Sequence, residues 1–92
     1  MTKLLFSIYD SVSEVYEKPF PARTKGEFLR DFQRAVNTPE TKLNQSPADF
    51  TVFLIGEWDD IKGSVTMYEA KINLGVASEY IVNAENNRLV TP

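Results

Sequence analysis

Residues 24–37, TKGEFLRDFQRAVN, decide the fold. Thr24 and Glu27 have the Thr-x-x-Glu spacing of a capping box, in which each side chain satisfies a backbone N–H left open in a helix's first turn. Phe28, Leu29, Phe32, Ala35 and Val36 then recur at helical spacing and form one apolar stripe. Asn37 is a natural stop, and Pro39 cannot continue the hydrogen-bond ladder. Arg30 and Arg34, four residues apart, lie away from the stripe. The reading is one amphipathic helix that must bury a single face against something else.

That something is a sheet. Upstream, residues 3–10 (KLLFSIYD) alternate Leu4, Phe6 and Ile8 on one face with Leu5, Ser7 and Tyr9 on the other, as a central strand does. Downstream, residues 50–58 (FTVFLIGEW) set Phe50, Val52, Leu54 and Trp58 against Phe53 and Ile55, a pattern suited to a covered strand. DDIKG at 59–63 has hairpin-turn chemistry, and 64–69 returns as a third strand. Ser46, Pro47 and Asp49 predict one turn of helix. Between the first strand and the helix, residues 11–23 read as irregular, stiffened by Pro19 and Pro21. Asn73 is placed to cap a short helix through LGVASEY. The fold expected is α+β: a small antiparallel sheet of three to four strands with one main helix packed on one face. Residues 1–82 form the single globular domain, and 83–92 a loosely ordered tail.

Ninety-two residues allow one domain. With neither Cys nor His in the chain, disulfides, thiol nucleophiles, Cys- or His-based zinc sites and His-based catalysis are excluded. No glycine-rich phosphate loop or calcium-loop pattern occurs, and Asp59–Asp60 reads as turn chemistry on opposite faces of a strand end. The expectation is a non-enzyme with no cofactor and no metal. The opening run MTKLLFSIYD is too short for a signal peptide core, and no apolar run approaches the ~18 residues of a membrane span.

The net charge of −3 is unevenly spread. Residues 18–42 hold six basic side chains against three acidic ones, and residues 48–92 hold three against seven. The stretch YEKPFPARTKGEFLRDF at 16–32 interleaves four of those cations with aromatic residues. Lys18, Arg23, Lys25, Arg30 and Arg34 are candidate phosphate contacts, and Tyr16 and Phe20 are candidates to stack on unpaired bases. The same residues have a plainer reading: Glu27 and Asp31 neutralise the helix surface, and Phe20 staples the loop to the core. Trp58 at a strand end and Tyr80 are candidates for a protein interface, where aromatics concentrate. The acidic corner at 57–60 and an exposed strand edge would serve the same end.

Four blocks carry a resemblance: FSIYDS (6–11), PFPARTKGEFLRDFQRAVN (19–37), SPADFTVFLIGEWDD (46–60) and LGVASEYI (74–81). In their order and spacing they resemble the small nonstructural protein of gokushovirus-type microviruses, bacteriophages with circular single-stranded DNA genomes. The resemblance implies a non-virion protein in the cytoplasm of the infected bacterial host, assisting the switch from duplex replication to single-strand synthesis and packaging. It implies DNA as partner and assigns no catalytic or binding residue; single-stranded DNA is the partner expected from the stacking candidates Tyr16 and Phe20. The alternative expectation is an adaptor that binds the phage replication initiator or a capsid precursor, or forms a homo-oligomer, without touching DNA.

Overall fold

The computed structural model describes residues 1–83 and 88–89. Three long antiparallel strands carry the sheet: β1 (Thr2–Asp10), β4 (Phe50–Asp59) and β5 (Ser64–Val76), with β4 in the middle. Along the other edge of β1 run two short strands, β2 (Val15–Tyr16) at one end and β3 (Phe20–Ala22) at the other. The α+β architecture expected is therefore present, with one main helix, α1 (Lys25–Val36), across one face. The segment read as irregular differs: residues 11–23 supply both short strands. Pro21 is tolerated because β3 is the outermost strand on that side, where a missing N–H costs no interior ladder bond.

The cap at Thr24 forms, its Oγ accepting from the Glu27 N–H at 3.1 Å. Glu27 turns instead to Arg23, so one half of the capping box is made. At the other end Asn37 does more than stop the helix. Its side-chain amide donates to the carbonyls of Gln33 (2.7 Å) and Tyr80 (2.9 Å), and its Oδ1 accepts from the Val82 N–H at 2.9 Å. One side chain thus ties α1 to the segment that follows β5.

The core lies between α1 and the face of the sheet that carries Phe6, Ile8, Val52 and Leu54. Phe6, fully buried, stacks parallel on Phe28 at 4.2 Å, and Phe28, Phe32 and Tyr80 continue the aromatic row. Phe53 is on the opposite face, as the alternation of 50–58 predicts, with Ser7 as its cross-strand partner; that face is not covered by the helix, and Phe53 is only half-buried. Leu5 and Ile55 are buried apart from the main cluster.

Two further departures concern β5 and its exit. The strand runs past Ala70 to Val76, and the turn after it is a 3-10 helix at Ala77–Tyr80 that begins later than the Asn73 cap predicts. Asn73 stays in the strand and accepts from the Gly75 N–H at 2.7 Å. Residues 68–71 loop out opposite the single residue Ile55, which breaks the free edge of β5. Beside this bulge, a Cβ at Gly56 would collide with the Thr66 carbonyl oxygen, so only glycine permits the β4–β5 approach there. A four-residue helix, α2 (Lys42–Gln45), capped by Thr41, precedes the predicted turn at Pro47–Asp49. The tail reading for 83–92 falls mostly on residues outside those described; a two-residue ladder pairs β6 (Val82–Asn83) with β7 (Arg88–Leu89).

Phe6→Ala is expected to cost about 3–5 kcal/mol through the cavity left beneath α1. In a domain whose total stability is on the order of 5–15 kcal/mol, that shifts the urea midpoint far down or unfolds the chain at 25 °C. A midpoint close to wild type would contradict the packing described.

Candidate nucleic-acid interface

The cations singled out in the sequence lie around α1 and its lead-in loop, all exposed. Arg23 and Arg34 are engaged with carboxylates on the same surface, Arg23 with Glu27 at 2.9 Å and Arg34 with Asp31 at 3.3 Å. Exposed pairs of this kind contribute about 0–1 kcal/mol, but each offsets a positive charge that a phosphate would need. Among the described residues Lys18, Lys25 and Arg30 make no ion pair. Arg30 and Arg34 border an open hollow of about 390 Å³ that Gln33, Asn37, Thr38 and Val82 complete.

The two stacking candidates are not together. Phe20 pairs in register with Phe6, on the helix side, and its ring lies 6.0 Å from Phe28. It is 40% exposed and roofs the edge of the core, as the staple reading expects. Tyr16 pairs with Tyr9 and so projects from the other face, the one α1 leaves open. There its ring is 4.7 Å from Tyr9 and 5.9 Å from Phe53, and the Lys71 ammonium sits 5.4 Å from its centroid. Tyr16 is 46% exposed.

Tyr9, Phe53 and Lys71 were not singled out in the sequence as site residues, although part of the signal was there. The 2-residue period of β1 and β4 places Tyr9 and Phe53 on second faces, which reads as burial until the helix is known to cover one side only. Lys71 had no such signal, because the looped-out stretch at 68–71 has no period.

The open face is also distinctive in charge. Asp10, Glu57 and Asp59 pair in register with Phe50, Leu4 and Thr2, and so belong to the helix side of the sheet. The open face has no carboxylate at any paired position, and Lys3 and Lys71 are its cations. Glu69, in the looped-out stretch, has no cross-strand partner.

The protein-interface candidates are placed as follows. Trp58 is half-buried on the open face, opposite Lys3 and Val65, and not on the Phe50–Leu54 face where alternation puts it, because the bulge at Ile55 shifts the period of β4 by one residue. Tyr80 packs edge-on against Phe32 at 5.1 Å, and its hydroxyl donates to the Leu74 carbonyl at 2.6 Å, so most of its ring is spent on the core. The acidic corner is internally engaged: Glu57 accepts from the Tyr68 hydroxyl at 3.0 Å, Asp59 caps its own turn, and Asp60 binds the Met1 amino group. That last hydrogen bond holds the Asp60 carboxyl below its ordinary range. Among the described residues no three metal-ligating side chains converge, and no helix is long and apolar enough to cross a membrane.

A family model described as Phage ORF5 protein matches residues 3–80 of the chain. No curated protein and no solved structure matches it.

Burial raises the phenol of Tyr80, with the Glu79 charge adding to it, and burial together with the Glu57 hydrogen bond and charge raises that of Tyr68. Both shifts favour the protonated phenol in the folded state. The stability they contribute is complete below the ordinary tyrosine pKa of about 10 and is lost as pH rises through the higher folded-state values. Urea midpoints between pH 8 and 11.5 are expected to fall above pH ~10, and to fall less in Tyr68→Phe/Tyr80→Phe. An equal fall in both proteins would contradict the assignment.

Proposed function

The chain belongs to the Phage ORF5 protein family, and on that premise we propose that it is a non-enzymatic accessory protein of a gokushovirus-type phage. It binds DNA, single-stranded in preference to duplex, in the cytoplasm of the infected bacterium, while genome synthesis passes from duplex replication to single-strand production and packaging. The observation that supports this reading best is the segregation of charge. In a chain with 13 acidic and 10 basic side chains, one sheet face has aromatic rings and lysines and no acid at any paired position. A polyanion meets attraction there and repulsion over much of the remaining surface. That suits a localised contact better than a continuous coat.

A second reading draws on a different observation. At the far end of the β4–β5 hairpin Ile61 is 83% exposed, Val65 53% and Met67 54%, beside half-buried Trp58. An apolar end of this kind suits self-association, or docking of a replication initiator or capsid precursor.

Fluorescence anisotropy of a labelled single strand and its duplex, titrated with folded protein at two salt concentrations, separates the two. The DNA reading expects salt-sensitive binding, tighter for the single strand. Absence of binding at low salt, with concentration-dependent sedimentation abolished by Ile61→Ser/Met67→Ser, would overturn it in favour of association.

A further inference from the structure

Resting on the DNA-binding reading, the geometry points to the open sheet face, centred on Tyr16, as the place where an unpaired base is held, and to Lys71 as the group that receives its phosphate. The site is built from four elements. Tyr9 comes from β1, Tyr16 from β2, Phe53 from β4 and Lys71 from the looped-out part of β5. The rings beside Tyr16, at 4.7 and 5.9 Å, are tilted by 50° and 62° to it, so neither stacks parallel on it. What occupies the neighbourhood of its π-face is an ammonium group, 5.4 Å from the centroid.

That arrangement is an exchangeable one. A cation over an exposed ring is held weakly, and a base laid on the same ring gains more by stacking. The displaced ammonium, on a flexible four-carbon stem, then has the phosphate of the same nucleotide within its reach. Lys71 thus covers the ring in the free protein and neutralises the backbone in the bound one. Tyr9 and Phe53 keep Tyr16 from rotating away, and Ser7 fixes the strand beneath it, its buried hydroxyl donating to the Glu17 carbonyl at 2.7 Å. The patch has room for one base, so affinity per protein is modest and rises when several copies act on one strand. A duplex, whose bases present only their edges, cannot use it.

The occupant is single-stranded nucleic acid and not a peptide, because the face combines flat aromatic area with positive charge and has no acid at its paired positions. The site also sets an expected salt dependence. One phosphate neutralised, by Lys71, gives a slope of log K against log salt of about −0.7, whereas the five cations around α1 would give about −3.5.

The test uses the full chain with labelled oligothymidylate, oligouridylate and a DNA hairpin, and confirms each variant folded by circular dichroism. Tyr16→Leu is expected to weaken single-strand binding about tenfold or more, and Tyr16→Trp to keep it, because stacking and not bulk is at stake. Lys71→Met is expected to reduce the salt slope by about 0.7. Arg30→Ala/Arg34→Ala is expected to leave affinity within twofold. Equal binding of the two oligonucleotides would support the site as a base platform indifferent to the sugar. If wild type binds and Tyr16→Leu binds within twofold of it, this site is wrong while the DNA-binding reading stands. If wild type binds none of the three probes, both fall.

Discussion

The parallel stacking of Phe6 on Phe28 at 4.2 Å is the contact on which the rest depends. It presses α1 onto one face of a sheet only three long strands wide, and in so doing defines which face is interior. Alternation along β1 then does the remaining work. Phe6 and Ile8 enter the core, while Ser7 and Tyr9 are committed to the other side. Because strand pairing carries this parity across the sheet, one helix contact also dictates where Tyr16, Phe53 and the paired carboxylates stand.

The same parity separates chemistry from stability. The helix side of the sheet holds the apolar mass of the domain together with Asp10, Glu57 and Asp59, which are spent on turns or on a tyrosine hydroxyl. The open side has Tyr9, Tyr16, Phe53 and Trp58 among small and aliphatic residues, with Lys3 and Lys71 and no acid at a paired position. The cationic stretch that stands out in the sequence is largely a helix surface that neutralises itself, through Arg23–Glu27 and Arg34–Asp31. A cluster prominent in one dimension is thus quiet in three, and a functional candidate arises from residues more than 50 positions apart.

Much of the fold was legible because its signals are local. Thr24, the Phe28–Phe32–Val36 stripe and the alternation of 3–10 and 50–58 each point to one element type, and together to a sheet under a helix. What escaped has a common physical cause. The strands at Val15–Tyr16 and Phe20–Ala22 exist only by pairing with β1, so no local periodicity marks them. The continuation of β5 is hidden by its bulge, and the role of Asn37 in binding Tyr80 and Val82 depends on contacts more than 40 residues distant. Of the candidate site, Tyr16 was visible as an aromatic among cations. Its partners were not, since choosing between the two faces of β1 and β4 requires knowing which one the helix covers.

The central claim is that the sheet face α1 leaves open is the one that meets nucleic acid. Backbone amide chemical shifts followed through a titration with unlabelled oligothymidylate would test it most directly, because every element reports in one experiment. The account predicts that shifts concentrate on Tyr9, Tyr16, Phe53 and Lys71 and their strand neighbours, while α1 around Arg30 and Arg34 stays still. Shifts confined to α1 and its lead-in loop, with the open face unperturbed, would contradict it.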